Sequence, residues 1–130
     1  MADDIAFELS HERRLIIITY PEHAGTSAIR KLISIADEGV MPEGFNALLD
    51  FSATRSIDFP VEAMIELSMV RRRHLPYRPN EVRKTAYLRA RPALRDVLDA
   101  WESFFYEDPP ALIFRHFDDR EAALEWLTER

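Results

Sequence analysis

Asn46-Ala-Leu-Leu-Asp-Phe-Ser-Ala-Thr-Arg-Ser-Ile-Asp-Phe-Pro-Val-Glu62 joins a short apolar run to the start of a helix. The run from Ala47 to Phe51 is typical of a buried strand, and Pro60 suits the first turn of the helix that follows. Between them the sequence turns abruptly polar, and the polar side chains of this join are Asp50, Ser52, Thr54, Ser56 and Asp58. In open α/β sheets, ligands and partners meet the loops beyond the carboxyl ends of the strands. This join is therefore the first candidate for a functional surface.

Four further segments have the apolar pattern of strands. Leu15 to Tyr20 is a β-branched run that is apolar on both faces, as expected of a central strand covered by helices on each side. Alternation from Ile5 to Leu9 predicts a partner strand joined to it by a short turn. Val82 to Leu88 and Ala111 to Phe117 supply two later strands. The sequence thus predicts a five-stranded sheet that opens with an N-terminal β-hairpin.

The segments that follow the later strands have the apolar periodicity of helices. The first helix can be capped by Thr26 or Ser27 and ended by Gly39. The helix after the polar join is expected to turn one stripe inward, made of Val61, Met64, Ile65 and Met69. A third helix opens at Pro92, and a fourth follows the last strand with a capping-box-like start formed by Asp118 and Glu121. This alternation predicts a single α/β domain over residues 1–130, with a mixed, mostly parallel sheet and about four helices.

Composition narrows the class of protein. With 130 residues and 47% hydrophobic content, the chain can build one core without disulfide or metal staples. It has no cysteine, which excludes a disulfide framework and a cysteine nucleophile and fits a reducing compartment. The N-terminus lacks a basic region followed by an apolar core, and the longest purely apolar run, Leu15 to Ile18, is far too short to span a bilayer. We expect a cytoplasmic protein without membrane insertion.

The charge distribution is uneven. A formal charge of -6 argues against nucleic acid as a partner, because general affinity for nucleic acids depends on a basic surface. The segment from Arg71 to Arg95, however, is strongly basic, and Glu81 is its only acidic residue. Arginines at a helix end oppose the helix dipole favourably in solvent, which explains part of this run. The candidates for anion binding are Arg89, Arg91 and Arg95, because guanidinium groups beside a helix N-terminus can grip a phosphate or carboxylate.

The sequence lacks the residues that several familiar kinds of catalytic site require. No helix-borne pair at metal-ligand spacing occurs among the histidines, which are His11, His23, His74 and His116. The three glycines, Gly25, Gly39 and Gly44, cannot build a phosphate-cradling loop or a nucleophile elbow in its familiar form. Asp50 at a strand end is similar to a phospho-acceptor aspartate, but the acidic pair that would bind magnesium is missing. We expect a protein that is not an enzyme and needs no metal or other cofactor.

Two segments resemble a known family. Ala47-Leu-Leu-Asp-Phe51 followed by Asp58 before a helix, and the ending Ile113-Phe-Arg-His-Phe-Asp-Asp-Arg-Glu-Ala-Ala-Leu-Glu-Trp-Leu127, together resemble the SpoIIAA-like branch of the STAS superfamily. STAS domains are named for sulphate transporters and anti-sigma-factor antagonists. The resemblance implies a STAS-like fold and a regulatory or binding module that acts through protein contacts or by holding a small ligand.

The phosphorylation motif of that family is altered here. In the anti-sigma-factor-antagonist members, the helix begins with an Asp-Ser-Ser/Thr-Gly-like motif whose hydroxyl is phosphorylated. Asp58 matches the acidic position, but Phe59 and Pro60 stand where the hydroxyl residues would be. The resemblance therefore implies a module without the usual phospho-switch. The alternative acceptors are loop residues whose added charge a helix N-terminus would tolerate, namely Ser52, Thr54 and Ser56.

Two functional hypotheses follow. In the first, a loop binds a protein partner or a second copy of the chain, and its residues are Asp50, Ser52, Thr54, Ser56, Ile57 and Asp58. The same side chains also suit ordinary turn and capping roles. In the second, the chain carries or senses a small anionic or lipid-like ligand near Arg89, Arg91 and Arg95, over an apolar floor. The aromatic residues that would line such a pocket, or else pack in the core, are Trp101, Phe104, Phe105, Tyr106 and Trp126.

Overall fold

The computed structural model describes residues 4–38, 44–74, 82–104 and 112–129. These ranges contain seven strands and four α-helices, and a one-turn 3-10 helix, Pro92–Leu94, precedes the third α-helix. The elements are β1 (Ala6–Ser10), β2 (Leu15–Thr19), β3 (His23–Ala24), α1 (Thr26–Asp37), β4 (Asn46–Asp50), β5 (Ser56–Ile57), α2 (Val61–His74), β6 (Arg83–Leu88), α3 (Arg95–Ser103), β7 (Leu112–Phe117) and α4 (Arg120–Thr128). The predictions about Gly39, Phe105 and Tyr106 concern residues outside the described ranges.

The main sheet has five strands in the order β1-β2-β4-β6-β7. β1 pairs with β2 in antiparallel register, and every other neighbouring pair is parallel. Tyr20 and Phe51 extend two of these strands, because the Tyr20 N–H donates to the Asp50 carbonyl at 3.0 Å and the Phe51 N–H donates to the Leu88 carbonyl at 2.9 Å. The predicted mixed, mostly parallel sheet with an N-terminal hairpin and four α-helices is confirmed for the described residues.

The sheet buries both of its faces. Ile16 and Ile18 of β2 point into the larger core, which contains the buried residues of α1, α2 and α3. Leu15 belongs to the smaller core on the opposite face, which α4 covers with Ala123 and Leu127. This two-sided cover explains why the central strands are apolar at consecutive positions.

Two helices begin one residue away from the predicted caps. Gly25, not Thr26 or Ser27, is the N-cap of α1, because the chain is still extended at Gly25 as it leaves β3. At α4 the N-cap is Asp119, whose side chain accepts a hydrogen bond from the Ala122 N–H at 3.2 Å. Asp118 lies on the bend that leaves β7, so the predicted capping box is wrong by one position.

The inward face of α2 also differs from the prediction. Met64 is buried as expected, but Val61, Ile65 and Met69 are 60%, 42% and 57% exposed. The buried face instead contains Ala63, Leu67 and Val70. Since α2 has apolar residues on two faces, periodicity alone could not show which one the sheet and α1 would cover.

The remaining helices of the described ranges are short or mixed in polarity. Pro92 opens the 3-10 turn, and α3 itself begins at Arg95. None of the helices in this part of the chain is long and apolar enough to cross a lipid bilayer.

Candidate functional site

The polar join begins with a turn that Asp50 holds in place. Its Oδ1 atom accepts hydrogen bonds from the Ser52 N–H at 2.9 Å and from the Ser52 hydroxyl at 2.5 Å. Its Oδ2 atom lies 3.3 Å from a guanidinium nitrogen of Arg120, at the start of α4. Asp50 therefore fixes the local backbone, as an Asx turn does, while the Ser52 side chain stays exposed.

Thr54 is buried, with a relative exposure of 0%. Its backbone N–H donates to the Phe51 carbonyl at 2.9 Å, and its hydroxyl is 3.4 Å from the Tyr20 carbonyl, which is a long contact. Thr54 thus supports the loop from beneath. Because it is buried, Thr54 cannot contact a partner as the sequence predicted.

A second, two-stranded sheet anchors the next part of the loop. β3 and β5 pair in parallel, with His23 opposite Ser56 and Ala24 opposite Ile57. The Asp58 N–H continues the pairing by donating to the Ala24 carbonyl at 2.8 Å. As a result Ser56 and Asp58 are exposed, whereas Ile57 is half-buried and packs against the larger core.

Ser56, His23 and Glu22 stand in the order of a hydrolase triad. The Ser56 hydroxyl is 2.8 Å from His23 Nδ1, and His23 Nε2 is 3.8 Å from a Glu22 carboxylate oxygen. A triad needs its carboxylate buried behind the histidine, but the Glu22 side chain is 53% exposed and also lies 3.2 Å from Arg55 Nε. This chain of contacts is suited to fastening β3 to β5 at the surface.

The outer face of α2 presents an apolar surface. Val61, Ile65 and Met69 recur every fourth residue and are all exposed, and we call them the α2 stripe. Exposed acidic residues border its N-terminal half, namely Asp58, Glu62 and Glu66. Single exposed apolar residues are ordinary, whereas large contiguous apolar patches mark interaction surfaces.

A cavity of about 80 Å³ lies between the larger-core face of the sheet and helices α1, α2 and α3. Its floor is formed by side chains of β2, β4 and β6, including Ile18, Leu49 and Thr85. Its half-buried wall residues come from the loop before α2 and from α3; they are Ile57, Phe59, Val97 and Trp101. Of the described side chains that line it, Arg71 of α2 is the charged one.

Aromatic rings cross the sheet at the carboxyl ends of the strands. The Tyr20 and Phe51 rings are 4.5 Å apart between centroids, and the Phe51 and Tyr87 rings are 6.2 Å apart. Burial raises the pKa of Tyr20 and of Tyr87 well above the usual value, while the positive charge of Arg71 acts in the opposite direction on both. The Arg71 Cζ atom is 5.9 Å from the Trp101 ring centroid.

A second group of ionisable side chains lies where α3 covers β6 and β7. Burial raises the pKa of Glu102, and the negative charge of Asp99 adds to that shift. Burial lowers the pKa of His116, and the positive charge of Arg95 lowers it further. The His116 and Tyr87 rings are 4.9 Å apart between centroids, so His116 lies next to one of the two buried tyrosines.

The three predicted anion-binding arginines have different surroundings. Arg89 has a left-handed backbone, with φ 56°, and its Nε–H donates to the Asp118 carbonyl at 3.0 Å. Arg91 is exposed at the start of the 3-10 turn, and Arg95 is exposed at the first position of α3. These positions lie at the carboxyl ends of β6 and β7, but the anion site remains a prediction.

Other basic residues of the Arg71 to Arg95 segment make contacts at different places in the fold. A guanidinium nitrogen of Arg72 donates to the Phe104 carbonyl, and Arg73 lies 3.8 Å from Asp37. Lys84 donates to the Trp126 carbonyl at 3.0 Å on the opposite face of the sheet. Within the described ranges, His, Asp and Glu side chains nowhere gather in threes around a point that could hold a metal ion.

The architecture has a counterpart among known proteins. No protein-family model matches the chain, and no curated protein matches it. Among solved structures, it is similar to the anti-sigma factor antagonist SpoIIAA in its unphosphorylated form, with a TM-score of 0.53 over 97% of this chain and 99% of that one. The chain has the SpoIIAA fold. Sequence identity over this likeness is 15%, so the SpoIIAA fold is what the comparison establishes, and the STAS-like architecture predicted from the sequence is confirmed.

Sequence reasoning found the edge of the sheet but misplaced two features beside it. The α2 stripe was assigned to the core, and the ligand pocket was placed near Arg89, Arg91 and Arg95, whereas the cavity lies beneath α2 and α3 with Arg71 in its lining. Trp101 does line that cavity, but Trp126 packs against Phe117 on the other face of the sheet, with ring centroids 5.4 Å apart. The aromatic residues predicted to line one pocket therefore lie on both faces of the main sheet in the SpoIIAA fold of this chain.

Proposed function

We propose that this chain is a non-enzymatic regulatory module that binds another protein. The observation that supports this proposal most directly is the α2 stripe, in which Val61, Ile65 and Met69 are exposed together. An exposed apolar row on a helix loses its contact with water when a partner covers it, and that burial favours association. The similar structure, SpoIIAA, is named as an antagonist of an anti-sigma factor, which is itself a regulatory role.

The proposed interface extends from the α2 stripe onto the loop before it. Ser56 and Asp58 are exposed at the surface end of β5, three to five residues before Val61. Asp58, Glu62 and Glu66 give the N-terminal half of this surface a negative border. The partner that fits best has an apolar groove flanked by Lys or Arg, because opposite charges at the rim favour encounter and register.

The proposed module works without the family's usual phospho-switch. Phe59, which is half-buried and lines the cavity, and Pro60 both lack a hydroxyl group, so neither accepts a phosphate. Ser52 and Ser56 remain the exposed hydroxyls of the loop. We propose that binding depends on surface complementarity in the cytoplasm, within one domain, with no catalytic step and no cofactor.

The test replaces Ile65 with Lys and uses Ala100→Lys on α3 as a control that adds the same charge at another exposed helix position. Both variants should unfold within about 0.5 kcal/mol of the unmodified chain, because both sites face solvent. Each protein is immobilised and exposed to lysate from the native source, and any captured protein is then purified and titrated by calorimetry. We expect one partner whose binding survives Ala100→Lys and is lost with Ile65→Lys.

Equal binding by the two variants would overturn the proposed interface. Sedimentation of the purified chain separates another possibility, since a dimer that Ile65→Lys converts to monomer would identify the partner as a second copy. In that case the proposal of a different protein partner fails, while the α2 stripe is retained as an interface.

A further inference from the structure

The cavity beneath α2 and α3 has the features of a small-molecule site. Its lining is almost wholly apolar and includes the buried residues Ile18, Ile29, Leu49 and Leu67. The cavity, at about 80 Å³, is smaller than the roughly 150 Å³ apolar cavity that takes up benzene, so it suits a short, narrow apolar tail. An apolar tail placed there would regain the packing contacts that an empty cavity lacks.

Four half-buried residues line the cavity on two sides. Ile57 and Phe59 lie on the side of the loop before α2, and Val97 and Trp101 lie on the side of α3. Arg71 is also half-buried and adjoins Trp101, 5.9 Å from its ring centroid. A ligand entering between these two walls would therefore pass a guanidinium group before its tail reached the sheet.

The positive charge of Arg71 at the cavity favours a ligand with an anionic group. Among the described residues that line the cavity there is no carboxylate, and their charged group is the Arg71 guanidinium. A guanidinium has five N–H donors in a planar fork that matches a carboxylate, so Arg71 can bind an additional acceptor while it keeps its contacts within the protein. The buried Tyr20 and Tyr87 hydroxyls, whose pKa values burial raises, stay neutral and do not compete as anions.

We propose that this cavity binds a short amphipathic carboxylate, with its apolar tail between the sheet and α2 and its carboxylate on Arg71. The site differs in place from Arg89, Arg91 and Arg95, and it does not depend on the α2 stripe. The chain would thereby hold a short fatty or aryl acid as well as a protein partner.

The two tryptophans allow binding to be measured at the cavity itself. Trp101 lines the cavity, whereas Trp126 packs on the opposite face of the sheet, and the chain contains no other tryptophan. Trp126→Phe therefore leaves a single reporter at the site, and Trp101→Phe leaves one remote from it. Hexanoate is the probe, and hexan-1-ol is the neutral molecule with the same tail.

In the Trp126→Phe background, hexanoate should change the Trp101 emission in a saturable way and bind at least about tenfold more tightly than hexan-1-ol, because the charged pair adds to the apolar contact. The remaining fluorescence of Trp101→Phe should not change. Equal affinity for hexanoate and hexan-1-ol would overturn the assignment of the carboxylate to Arg71. Absence of saturable binding would overturn the site.

Matched variants locate the two ends of the ligand. Arg71→Gln should raise the Kd for hexanoate at least about tenfold and leave that for hexan-1-ol unchanged, while Arg73→Gln on the exposed side of α2 should change neither. Val97→Phe, which adds volume at the half-buried wall, should weaken both probes. Tight hexanoate binding by folded Arg71→Gln would contradict the proposal, and Ile65→Lys should leave hexanoate binding intact whatever its effect on a protein partner.

Discussion

His116 is a residue whose ionisation is shaped by its neighbours. Its Nδ1 atom is buried, and its ring packs against Tyr87 at 4.9 Å between centroids. Burial lowers the His116 pKa, and Arg95 adds to this effect, whereas Asp99 and Asp118 act in the opposite direction. The folded protein therefore favours the neutral imidazole more strongly than the unfolded chain does.

This difference predicts a loss of stability in mild acid. An unfolded histidine takes up a proton near pH 6.5, but His116 in the folded protein does so only at lower pH. As pH falls through about 6.5, the unfolded state binds more protons, so the free energy of unfolding decreases until the pH passes below the folded pKa. His116→Phe keeps a ring against Tyr87 and removes the titration, so its unfolding free energy should change less between pH 7 and pH 5.

Urea unfolding across this pH range measures the effect. At pH 8 both forms of residue 116 are neutral, so the difference there reports packing alone and serves as the internal control. An unchanged slope between pH 7 and pH 5 in His116→Phe would show that other groups cause the acid sensitivity.

Residue roles in the polar join could be predicted only in part. Asp50 and Ser52 form the kind of turn that their sequence separation of two favours. Thr54 has the same polar character in the sequence, but the pairing of β3 with β5 folds the loop over it and leaves it buried. That pairing is a long-range contact between two-residue strands, which are too short to produce a periodic signal.

At the scale of elements, the start of α4 gives a direct test of helix capping. Asp119 accepts a hydrogen bond from the Ala122 N–H, whereas the described contact of Asp118 uses its backbone carbonyl, which accepts from Arg89. Asp119→Ala should therefore lower the free energy of unfolding by about 1 kcal/mol. Asp118→Ala keeps its carbonyl and should change it by less than about 0.5 kcal/mol.

Thermal unfolding at pH 8 compares the two variants without interference from the nearby His116. A larger loss for Asp118→Ala than for Asp119→Ala would mean that Asp118 caps the helix in solution, as the sequence pattern predicts.

The existence of the strands and helices was easier to predict than the direction each helix faces. β2 and β4 carry apolar residues on both sides, and a short run of this kind is typical of a central strand covered by helices. α2 is ambiguous because Ala63, Leu67 and Val70 compete with Val61, Ile65 and Met69 for the inward position. Packing against α1 and the sheet decides between these faces, and that contact is not encoded in local spacing.

At the scale of the whole molecule, Asn46 joins three separate parts of the structure. Its side-chain amide donates to the Leu127 carbonyl at the end of α4, and its side-chain oxygen accepts from the Lys84 N–H in β6, both at 2.8 Å. Its backbone N–H donates to the Arg14 carbonyl at 3.1 Å. One side chain thus ties the layer of α4 to two neighbouring strands.

Asn46→Ala should lower the free energy of unfolding by about 2 kcal/mol, because two part-buried hydrogen bonds are lost together. Ser103→Ala, which removes an exposed bond within α3, is the control and should cost less than about 0.5 kcal/mol. Urea unfolding measures both. A loss below about 1 kcal/mol for Asn46→Ala would show that water replaces both bonds.

The cavity is a feature of the whole molecule, because several separate segments of the chain line it. Its described lining comes from four strands, three helices and the loop before α2. The sequence identified several of these residues as core, and that assignment is correct for Ile18, Ile29 and Leu49. A gap between packed elements depends on how their surfaces meet, so it could not be predicted from the pattern of any one of them.

The order of the strands across the main sheet, β1-β2-β4-β6-β7, is also their order along the chain. Every strand of this sheet after the first therefore pairs with the main-sheet strand that was synthesised just before it. Each crossover adds one strand to the same growing edge, and no strand has to wait for a distant segment or be inserted between two others. The main sheet can consequently extend in the direction of translation while the rest of the chain is still on the ribosome.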